Sequence, residues 1–309
     1  MRYYMGPDVW ESTVQDIDAA GHERVESLAE AEVFINTSSS PEDVPELPSS
    51  IQWVQYCFTG VNHLIDAGII RDGGVPWCNS AGAFAKPVAE SALGLLLSQA
   101  HHHKAFALAK SWSVSKELDE SQAWLYDQQG PKHVLIVGAG GIGKQLIAYL
   151  KPFGVRITAV NRSGRVVDGA DATIPIERVD EVWSEADFVI NILPATTATE
   201  HFFDAAVFRA MKDSALFINV GRGSTVVTDD LVNALREGHI AGAGLEVVDP
   251  EPLPDGHPLY DLPNATMTPH MGASFQVAEH HMGAIFNANA AAWERGEPMP
   301  TRVDPRAGY

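Results

Sequence analysis

Arg222, Glu251 and His270 are polar residues of the second half of the chain whose types suit the reduction of a keto acid. The planar, permanently charged guanidinium of Arg222 can bind a carboxylate and the adjacent carbonyl oxygen in a fork. A histidine that is hydrogen-bonded to a buried carboxylate stays protonated near neutral pH and can donate a proton to a developing alkoxide. We expect Glu251 and His270 to form such a pair. The three residues together indicate a site that binds an anionic keto acid and protonates it.

The second feature that bears on this reduction is a glycine-rich turn, Gly138-Ala139-Gly140-Gly141-Ile142-Gly143. The apolar run 133–137 before the turn predicts a buried strand, and apolar side chains at helical spacing over 142–150 predict a helix after it. The three glycines of the G-x-G-x-x-G pattern permit a tight turn, a close approach to a pyrophosphate and close packing of helix against strand. We therefore predict a dinucleotide-binding turn and hydride transfer. An ordinary glycine-rich loop is the alternative.

The residues after the next predicted strand, 155–160, bear on which dinucleotide is bound. Asn161, Arg162 and Ser163 stand where a carboxylate would be expected to hold the adenosine ribose of NAD. A carboxylate would repel a 2′-phosphate, whereas a guanidinium and a hydroxyl can bind one by charge-assisted hydrogen bonds. The loop therefore predicts that NADP(H) is preferred over NAD(H). In the alternative interpretation Arg162 and Arg165 are solvated charges and Asp168 turns inward.

The elements that would position these residues alternate between strand and helix in two blocks. Strands are predicted at 2–4, 33–36, 51–56 and 77–79 in the first block, and at 133–137, 155–160, 173–176, 187–193, 214–220, 240–246 and 265–269 in the second. A helix is predicted between each pair of strands in the second block up to 240–246. Apolar helices at 88–100 and 277–293 would take the chain out of the first block and back to it.

This order predicts an α/β fold with two doubly wound parallel-sheet, Rossmann-like domains. Residues 1–99 plus 276–309 would form a discontinuous domain, and residues 100–275 the dinucleotide-binding domain.

Composition limits the partners of the protein. The 309 residues include 21 Lys and Arg against 40 Asp and Glu, a formal net charge of −19, so the overall field repels nucleic acid and anionic membranes. The N-terminus shows no secretory signal, because Gly6 and Pro7 interrupt it, and no apolar stretch is long enough to span a membrane. We expect a cytoplasmic protein with a small-molecule partner, in which Cys57 and Cys78 are buried thiols.

Three consecutive histidines, His101, His102 and His103, would point about 100° apart if they lay in one helix, and could not then chelate one ion together. We interpret them as the polar end of the helix predicted at 88–100. No metal site is predicted.

The chain resembles the D-isomer-specific 2-hydroxyacid dehydrogenase family, which includes glyoxylate/hydroxypyruvate reductases and phosphoglycerate dehydrogenases. The residues that carry the resemblance are Gly60-Val61-Asn62, Val88-Ala89-Glu90, Gly138 to Gly143, Asn191-Ile192-Leu193-Pro194, Asn219-Val220-Gly221-Arg222-Gly223, Asp249-Pro250-Glu251-Pro252-Leu253 and Thr268-Pro269-His270. They cover nearly the whole chain.

The resemblance implies roles for these residues. Arg222 would orient the substrate, Glu251 would tune the histidine, and His270 would be the proton donor. Backbone N–H groups around Thr59, Gly60 and Val61 would hold the substrate carboxylate. The cofactor site would also include Leu193, Pro194, Val220, Arg222, Glu246 and His270, with Glu246 at a position where the family commonly has an aspartate that contacts the nicotinamide carboxamide. The first block and the last helix would form a substrate domain that closes on the nucleotide domain, and the protein would be a homodimer.

The substrate expected from these features is small and unphosphorylated. The first block has no basic cluster for a phosphate, and we interpret Lys86 as a solvated residue. Glyoxylate, hydroxypyruvate or pyruvate would then be reduced to the D-2-hydroxy acid. One alternative is a dehydrogenase of the same family for bulkier keto acids, with Trp53, Phe84 and Met271 lining the pocket. The other is a dinucleotide-sensing interaction protein without turnover.

Overall fold

The computed structural model describes residues 1–126 and 130–308, which divide into two compact units. The first consists of Met1–Phe84 and Ala273–Tyr309, and the second of Ala85–Gly272. Each unit is built on one parallel sheet, which confirms the predicted fold class. The first unit is made of two separate chain segments.

The first unit contains a five-stranded parallel sheet of order β2-β1-β3-β4-β5. Its strands are β1 Arg2–Gly6, β2 Glu23–Arg24, β3 Val33–Asn36, β4 Trp53–Tyr56 and β5 Trp77–Cys78, and its helices are α1 Glu11–Ala19, α2 Asn62–Asp66 and α9 Phe275–Glu294. The helix predicted at 277–293 is therefore present as α9, whereas the two-residue strand β2 was not predicted. Residues Glu23 and Arg24 are too short a run to show the alternation that marks a strand.

Helix α9 completes the core of the first unit. The ring of its Phe286 stacks on Trp53 of β4 with ring centroids 5.3 Å apart, and it also contacts Tyr3 of β1 at 5.6 Å. All three aromatic side chains are fully buried. The C-terminal segment therefore packs directly on the sheet that the N-terminal segment forms.

The second unit contains a seven-stranded parallel sheet of order β12-β11-β10-β9-β6-β7-β8. Its strands are β6 His133–Val137, β7 Arg156–Asn161, β8 Ala172–Pro175, β9 Phe188–Asn191, β10 Leu216–Asn219, β11 Gly242–Leu245 and β12 Ala265–Met267. Its helices are α3 Ala85–Ala100, α4 His103–Ala109, α5 Ser115–Glu120, α6 Gly141–Leu150, α7 Ala205–Ala210 and α8 Thr228–Glu237. Strand order reverses between β6 and β9, and parallel sheets bind their ligands at the carboxyl ends of strands beside such a point.

The predicted domain boundaries differ from the observed division at both ends. Helix α3 was assigned to the first block, but its Ala89, Leu95 and Leu96 are buried in the core that also contains Leu146 and Ile147 of α6. Residues 85–99 therefore belong to the second unit. At the other boundary the first unit resumes at Ala273, three residues before the predicted position.

The prediction that a helix bridges each pair of strands in the second block is wrong at two connections. The chain between β7 and β8 contains no helix among the described residues, and that between β8 and β9 contains only the 3₁₀ turns Ile176–Glu181 and Trp183–Glu185. Both connections are short, and the first carries Gly164 and Gly169 with positive φ angles of 68° and 87°, a conformation that interrupts a helix.

The interpretation of the histidine run is also wrong in its geometry. Helix α3 ends at Ala100, α4 begins at His103, and His102 between them has a left-handed φ of 51°. The rings of His101 and His103 lie 6.2 Å apart. Over residues 1–126 and 130–308, no group of three or more His, Cys, Asp or Glu side chains is arranged to hold a metal ion, and no helix is long and apolar enough to cross a bilayer.

Candidate active site

The glycine-rich turn joins β6 to α6 at the point where strand order reverses. Gly138 has a φ of 98°, and a Cβ on it would lie 2.7 Å from the carbonyl carbon and oxygen of Ile192, after β9. A Cβ on Gly143 would lie 3.5 Å from Ile136 of β6. The first glycine therefore makes the tight turn and the third brings the helix close to the strand, as the G-x-G-x-x-G pattern requires.

The second glycine leaves space above the turn. A Cβ on Gly140 would meet nothing within 4 Å. The backbone N–H groups of Gly141, Ile142 and Gly143 at the start of α6 donate to no acceptor among the described residues. An open backbone at the positive end of a ten-residue helix fits an anionic pyrophosphate.

The loop after β7 is held by the side chain of Asn161. Its Nδ2 donates to the carbonyl oxygen of Arg165 at 2.7 Å, and its Oδ1 accepts the N–H of Ser163 at 3.1 Å. Arg162, Ser163 and Arg165 are exposed. Asp168 is exposed as well, so it does not turn inward as the alternative interpretation required. The loop thus presents cations and a hydroxyl, and no carboxylate at position 161.

Two asparagines at the carboxyl ends of adjacent strands hold the loops on which Leu193 and Arg222 lie. Asn191 Nδ2 donates to Asn219 Oδ1 at 2.9 Å and to Thr225 Oγ1 at 2.7 Å. Asn191 Oδ1 accepts the Leu193 N–H at 3.0 Å, while Thr225 Oγ1 donates to the carbonyl oxygen of Arg222 at 2.6 Å. Asn191, Asn219 and Thr225 are buried, so this polar network fixes the loop conformations.

Sequence reasoning gave these three residues no positioning role. The signal was present, because β9 and β10 share the pattern of three apolar residues followed by a buried asparagine. The other predicted cofactor residues of this edge follow the same strands. Val220 is buried and its N–H donates to the carbonyl oxygen of Asn191 at 3.0 Å, whereas Pro194 is exposed.

Arg222 follows β10, and its side chain folds back on its own loop. Nη1 donates to the carbonyl oxygen of Gly221 at 2.7 Å. Burial lowers the pKa of the guanidinium from its ordinary value, and the charge of Glu251 acts in the opposite direction. Arginine remains charged in proteins, so a partly enclosed cation lies at this strand end.

Glu251 and His270 form the predicted pair. His270 Nδ1 and Glu251 Oε1 are 2.6 Å apart. The carboxylate was expected to be buried, and this is wrong, since the Glu251 side chain is 42% exposed and that of His270 48% exposed. Glu251 lies on the loop after β11, outside the strands of the sheet, where its side chain is accessible to solvent.

Glu246 follows β11 directly and is buried, with 3% of its surface exposed. Its Oε1 accepts the N–H groups of Met271 and Gly272 at 2.5 and 2.6 Å, and its Oε2 accepts the hydroxyl of Ser91 on α3. The carboxylate is therefore bonded to the turn after His270. Its contact with the nicotinamide carboxamide stays a prediction.

In the first unit, Thr59, Gly60 and Val61 follow β4 and precede α2. The Thr59 carbonyl oxygen accepts Asn79 Nδ2 at 2.9 Å, and the Val61 side chain is fully buried. The backbone N–H groups of Thr59, Gly60 and Val61 donate to no acceptor in the part of the chain that the structure describes. The loop thus presents N–H groups at the carboxyl edge of its sheet.

One residue suggested as a pocket wall lies elsewhere. Trp53 is fully buried in the core of the first unit against Phe286, because it lies on a strand covered on both faces, so its assignment to a pocket is wrong. Met271, beside His270, is 65% exposed, and Phe84 is half-buried.

Gly223, next to Arg222, packs against the backbone of the loop that carries Glu251. A Cβ on Gly223 would lie 1.8 Å from the carbonyl oxygen of Val248. We expect Gly223→Ala to lower the free energy of unfolding by about 1–3 kcal/mol, because backbone must move to admit the methyl group. Urea unfolding measures this. Gly94→Ala on α3 is the matched control, since nothing lies within 4 Å of its Cβ position, and it should raise stability by about 0.5–1 kcal/mol. Equal stability of Gly223→Ala and the parent would contradict the packing described.

Comparison with known proteins assigns the second unit to a family. The sequence model for the NAD binding domain of the D-isomer specific 2-hydroxyacid dehydrogenases matches residues 93–272. An uncharacterized protein of the proB 3′ region in Corynebacterium melassecola is 46% identical over 309 residues, which are the full length of both chains. Glyoxylate reductase of Pyrococcus horikoshii is 32% identical over 75% of this chain and 70% of its own length. Human glyoxylate reductase/hydroxypyruvate reductase is 39% identical over 54% of this chain, and the match spans 52%, about half, of the human protein.

Solved structures share the fold over nearly the whole chain. The NADPH-dependent glyoxylate/hydroxypyruvate reductase of Sinorhizobium meliloti, solved with NADP and sulfate, has a TM-score of 0.79 and 24% identity over 100% of this chain and 99% of its own. The D-isomer specific 2-hydroxyacid dehydrogenase of Lactobacillus delbrueckii ssp. bulgaricus, in its NAD-complexed form, has a TM-score of 0.77 and 18% identity over 98% of this chain and 100% of its own. Because the family model covers more than half of the sequence, the chain belongs to the D-isomer specific 2-hydroxyacid dehydrogenase family, whose members are oxidoreductases that act on CH–OH donors with a nicotinamide dinucleotide.

Proposed function

We propose that the protein reduces a small 2-keto acid of the glyoxylate, hydroxypyruvate or pyruvate type to the D-2-hydroxy acid, with NADPH preferred and His270 as proton donor. The observation that carries the proposal is the His270–Glu251 pair, 2.6 Å between Nδ1 and Oε1. The two residues and Arg222 follow three strands, β10, β11 and β12, that are neighbours in one sheet. One edge of the sheet thus carries a cation for an acid substrate and a histidine paired with a carboxylate.

The proton donor follows from the hydrogen bond to Glu251. Because Nδ1 of His270 is bonded to Glu251 Oε1, the opposite ring nitrogen, Nε2, is the one left to donate to substrate. The carboxylate fixes the orientation of the ring and places a negative charge beside it. When bound, the nicotinamide supplies the hydride for the keto carbon. His270 then protonates the oxygen that becomes the hydroxyl group.

Each unit, taken by itself, offers a group suited to an acid substrate. The Arg222 guanidinium can form a fork with the carboxylate and the keto oxygen, which places the carbonyl for attack and polarises it. The N–H groups of Thr59, Gly60 and Val61 are suited to bind carboxylate oxygens, because they are not used within the protein as described. The names of the matched relatives from Pyrococcus horikoshii and Homo sapiens, both glyoxylate reductases, support this substrate class.

The proposal is tested by measuring NADPH and NADH oxidation against a panel of 2-keto acids, from glyoxylate to branched and aromatic ones. We expect the highest kcat/KM with a small unphosphorylated acid. With hydroxypyruvate or pyruvate as substrate, chiral chromatography should find the D-isomer. Higher kcat/KM with branched or aromatic acids would favour the dehydrogenase for bulkier acids. Cofactor binding without turnover on any acid would favour a dinucleotide-sensing protein.

The homodimer and the cytoplasmic location stay predictions. Light scattering in solution tests the homodimer.

The preference for NADPH rests on the loop after β7. The Asn161 side chain bonds to the loop itself and brings no carboxylate, while Arg162 and Ser163 are exposed and able to contact a 2′-phosphate. Charge-assisted hydrogen bonds to a phosphate contribute roughly 1.5–3 kcal/mol each. The S. meliloti reductase was solved with NADP and the L. delbrueckii enzyme with NAD, so the fold accommodates both cofactors.

We expect NADPH to be favoured over NADH by at least about tenfold in kcat/KM, since about 1.4 kcal/mol already corresponds to a factor of ten. The preference should weaken as salt is added, because the arginine contact is ionic and exposed. The double variant Asn161→Asp, Arg162→Ala should reverse it by adding a ribose acceptor and removing a phosphate contact. Arg209→Ala, which removes another exposed cation of the same unit, is the matched control. Equal or better kinetics with NADH in the parent would contradict this account of the loop.

A further inference from the structure

Glu246 is a buried acidic residue that is hydrogen-bonded to the backbone of His270 and of the two residues after it. Its carbonyl oxygen accepts the His270 N–H at 3.0 Å, and its Oε1 accepts the N–H groups of the next two residues, Met271 and Gly272, at 2.5 and 2.6 Å. Three consecutive backbone N–H groups therefore donate to one residue. None of these contacts involves the histidine ring.

The turn held in this way has an unusual conformation. His270 has a φ of 50°, in the left-handed region, which costs free energy for a residue other than glycine and persists only where the surroundings enforce it. Gly272 closes the turn against the Glu246 side chain, since a Cβ there would lie 3.0 Å from Cδ and 3.1 Å from Oε2. The carboxyl group thus fills the turn that sets the direction of the His270 side chain.

A second element fixes the carboxyl group itself. Ser91 of α3 donates its hydroxyl to Oε2, the oxygen that the turn does not use. Glu246 is 3% exposed, so these bonds are shielded from solvent. Helix α3, strand β11 and the turn after β12 are therefore connected through one side chain.

We propose that Glu246 is a positioning residue, which holds His270 in its proton-donating orientation through hydrogen bonds to the following turn and not through its charge. This inference rests on the proposed function in assigning proton donation to His270. It goes beyond that function in giving Glu246 a role that depends on the length and the acceptor oxygen of its side chain. Glutamate reaches the turn from β11, whereas aspartate is one methylene shorter.

Three variants of Glu246 distinguish a role of its side-chain length and acceptor oxygen from a role of its negative charge. In Glu246→Gln, Oε1 still accepts both N–H groups and the side-chain amide donates to the Ser91 hydroxyl, so kcat should fall less than in the two variants that follow. Glu246→Asp keeps the charge but falls short of the turn, and Glu246→Ala removes the acceptor. A misplacement of about 1 Å at a reacting group can cost about 100-fold, so we expect kcat to fall by about 10- to 100-fold in both. The dissociation constant for NADPH should change less than kcat.

Hydrogen exchange provides a readout that does not depend on turnover. The amide hydrogens of Met271 and Gly272 should be protected in the parent and in Glu246→Gln, and should exchange faster in the aspartate and alanine variants. Asp187→Asn is the matched control. The Asp187 carboxylate also accepts a backbone N–H, from His133 at 2.8 Å, but it lies where strands β6 and β9 begin, at the end of the strands away from His270. Asp187→Asn should alter the stability of the protein without changing kcat or the exchange rates of the Met271 and Gly272 amides.

The outcomes distinguish the inference from the proposed function. A large fall in kcat for glutamine together with parent-like kcat for aspartate would show that charge is what matters and would overturn the inference. Unchanged exchange of both amides in Glu246→Ala would overturn it as well. If the parent reduces no 2-keto acid, the proposed function fails, while the exchange experiment still decides whether Glu246 holds the turn.

Discussion

Replacement of His270 by alanine is expected to lower kcat for keto-acid reduction by about 100- to 10,000-fold, the usual contribution of a general acid. Binding of NADPH should be nearly intact, because the glycine-rich turn proposed to hold the pyrophosphate lies between β6 and α6, away from β12. Stopped-flow measurement of hydride transfer, with fluorescence titration of NADPH, checks both. His239→Ala is the matched control, since His239 also pairs with a carboxylate, Glu237, at 3.0 Å in the same unit. A kcat for His270→Ala within threefold of the parent would remove His270 from the reaction.

The companion variant Glu251→Gln should have a weaker effect of a different kind. Glutamine keeps a hydrogen bond to Nδ1 but removes the negative charge beside the ring. Because the ring stays oriented while that charge is lost, kcat/KM should fall below the parent value but remain above that of His270→Ala. Steady-state kinetics of the three proteins test this. Equal kcat/KM in Glu251→Gln and the parent would show that the Glu251 charge has no part in the mechanism.

Replacement of Arg222 by lysine is expected to lower kcat/KM by about 10- to 100-fold, although the net charge is unchanged. Lysine cannot form the planar fork with a carboxylate and a keto oxygen, and a lost hydrogen bond to a charged group costs roughly 1.5–3 kcal/mol. Both substrate affinity and turnover should fall, because in the proposed function the fork would hold the acid in the ground state and polarise the carbonyl in the transition state.

Arg178→Lys is the matched control for this change. Arg178 forms a fork with Glu181 on the surface of the same unit, with Nε–Oε1 and Nη2–Oε2 distances of 2.9 and 2.6 Å. Its replacement should leave steady-state kinetics as in the parent. If Arg222→Lys also performs like the parent, Arg222 acts only as a general positive charge or lies away from the substrate.

Much of the second unit was predictable because its signals are local. The strand at 133–137 was predicted with the observed bounds, since a continuous apolar run flanked by a glycine-rich turn has few other structures available to it. That Arg222, Glu251 and His270 share one edge was equally predictable, because the carboxyl ends of parallel strands meet there. The family resemblance, too, depends only on motifs that the sequence shows.

Other features depend on partners far away in sequence, and only the tertiary structure decided them. Helix α3 joins the second unit because its apolar face packs with α6, and no periodicity within α3 indicates which sheet it will cover. Trp53 is a second example. An aromatic residue suits a pocket as well as a core, and only the packing of Phe286 of α9 on Trp53 shows that this residue belongs to the core.

Glu246 shows most directly what could not be predicted from the sequence. From the sequence it was an acid at the end of a strand, with a family role toward the cofactor. Its observed partners are Ser91, which is 155 residues away, and the backbone of Met271 and Gly272, 25 and 26 residues away. Sequence patterns determine which residues lie at the edge of the sheet, because periodicity and turn chemistry act over a few residues. The hydrogen-bond partners of a buried side chain are determined only when distant elements pack, because each buried acceptor takes the donors that packing brings within reach.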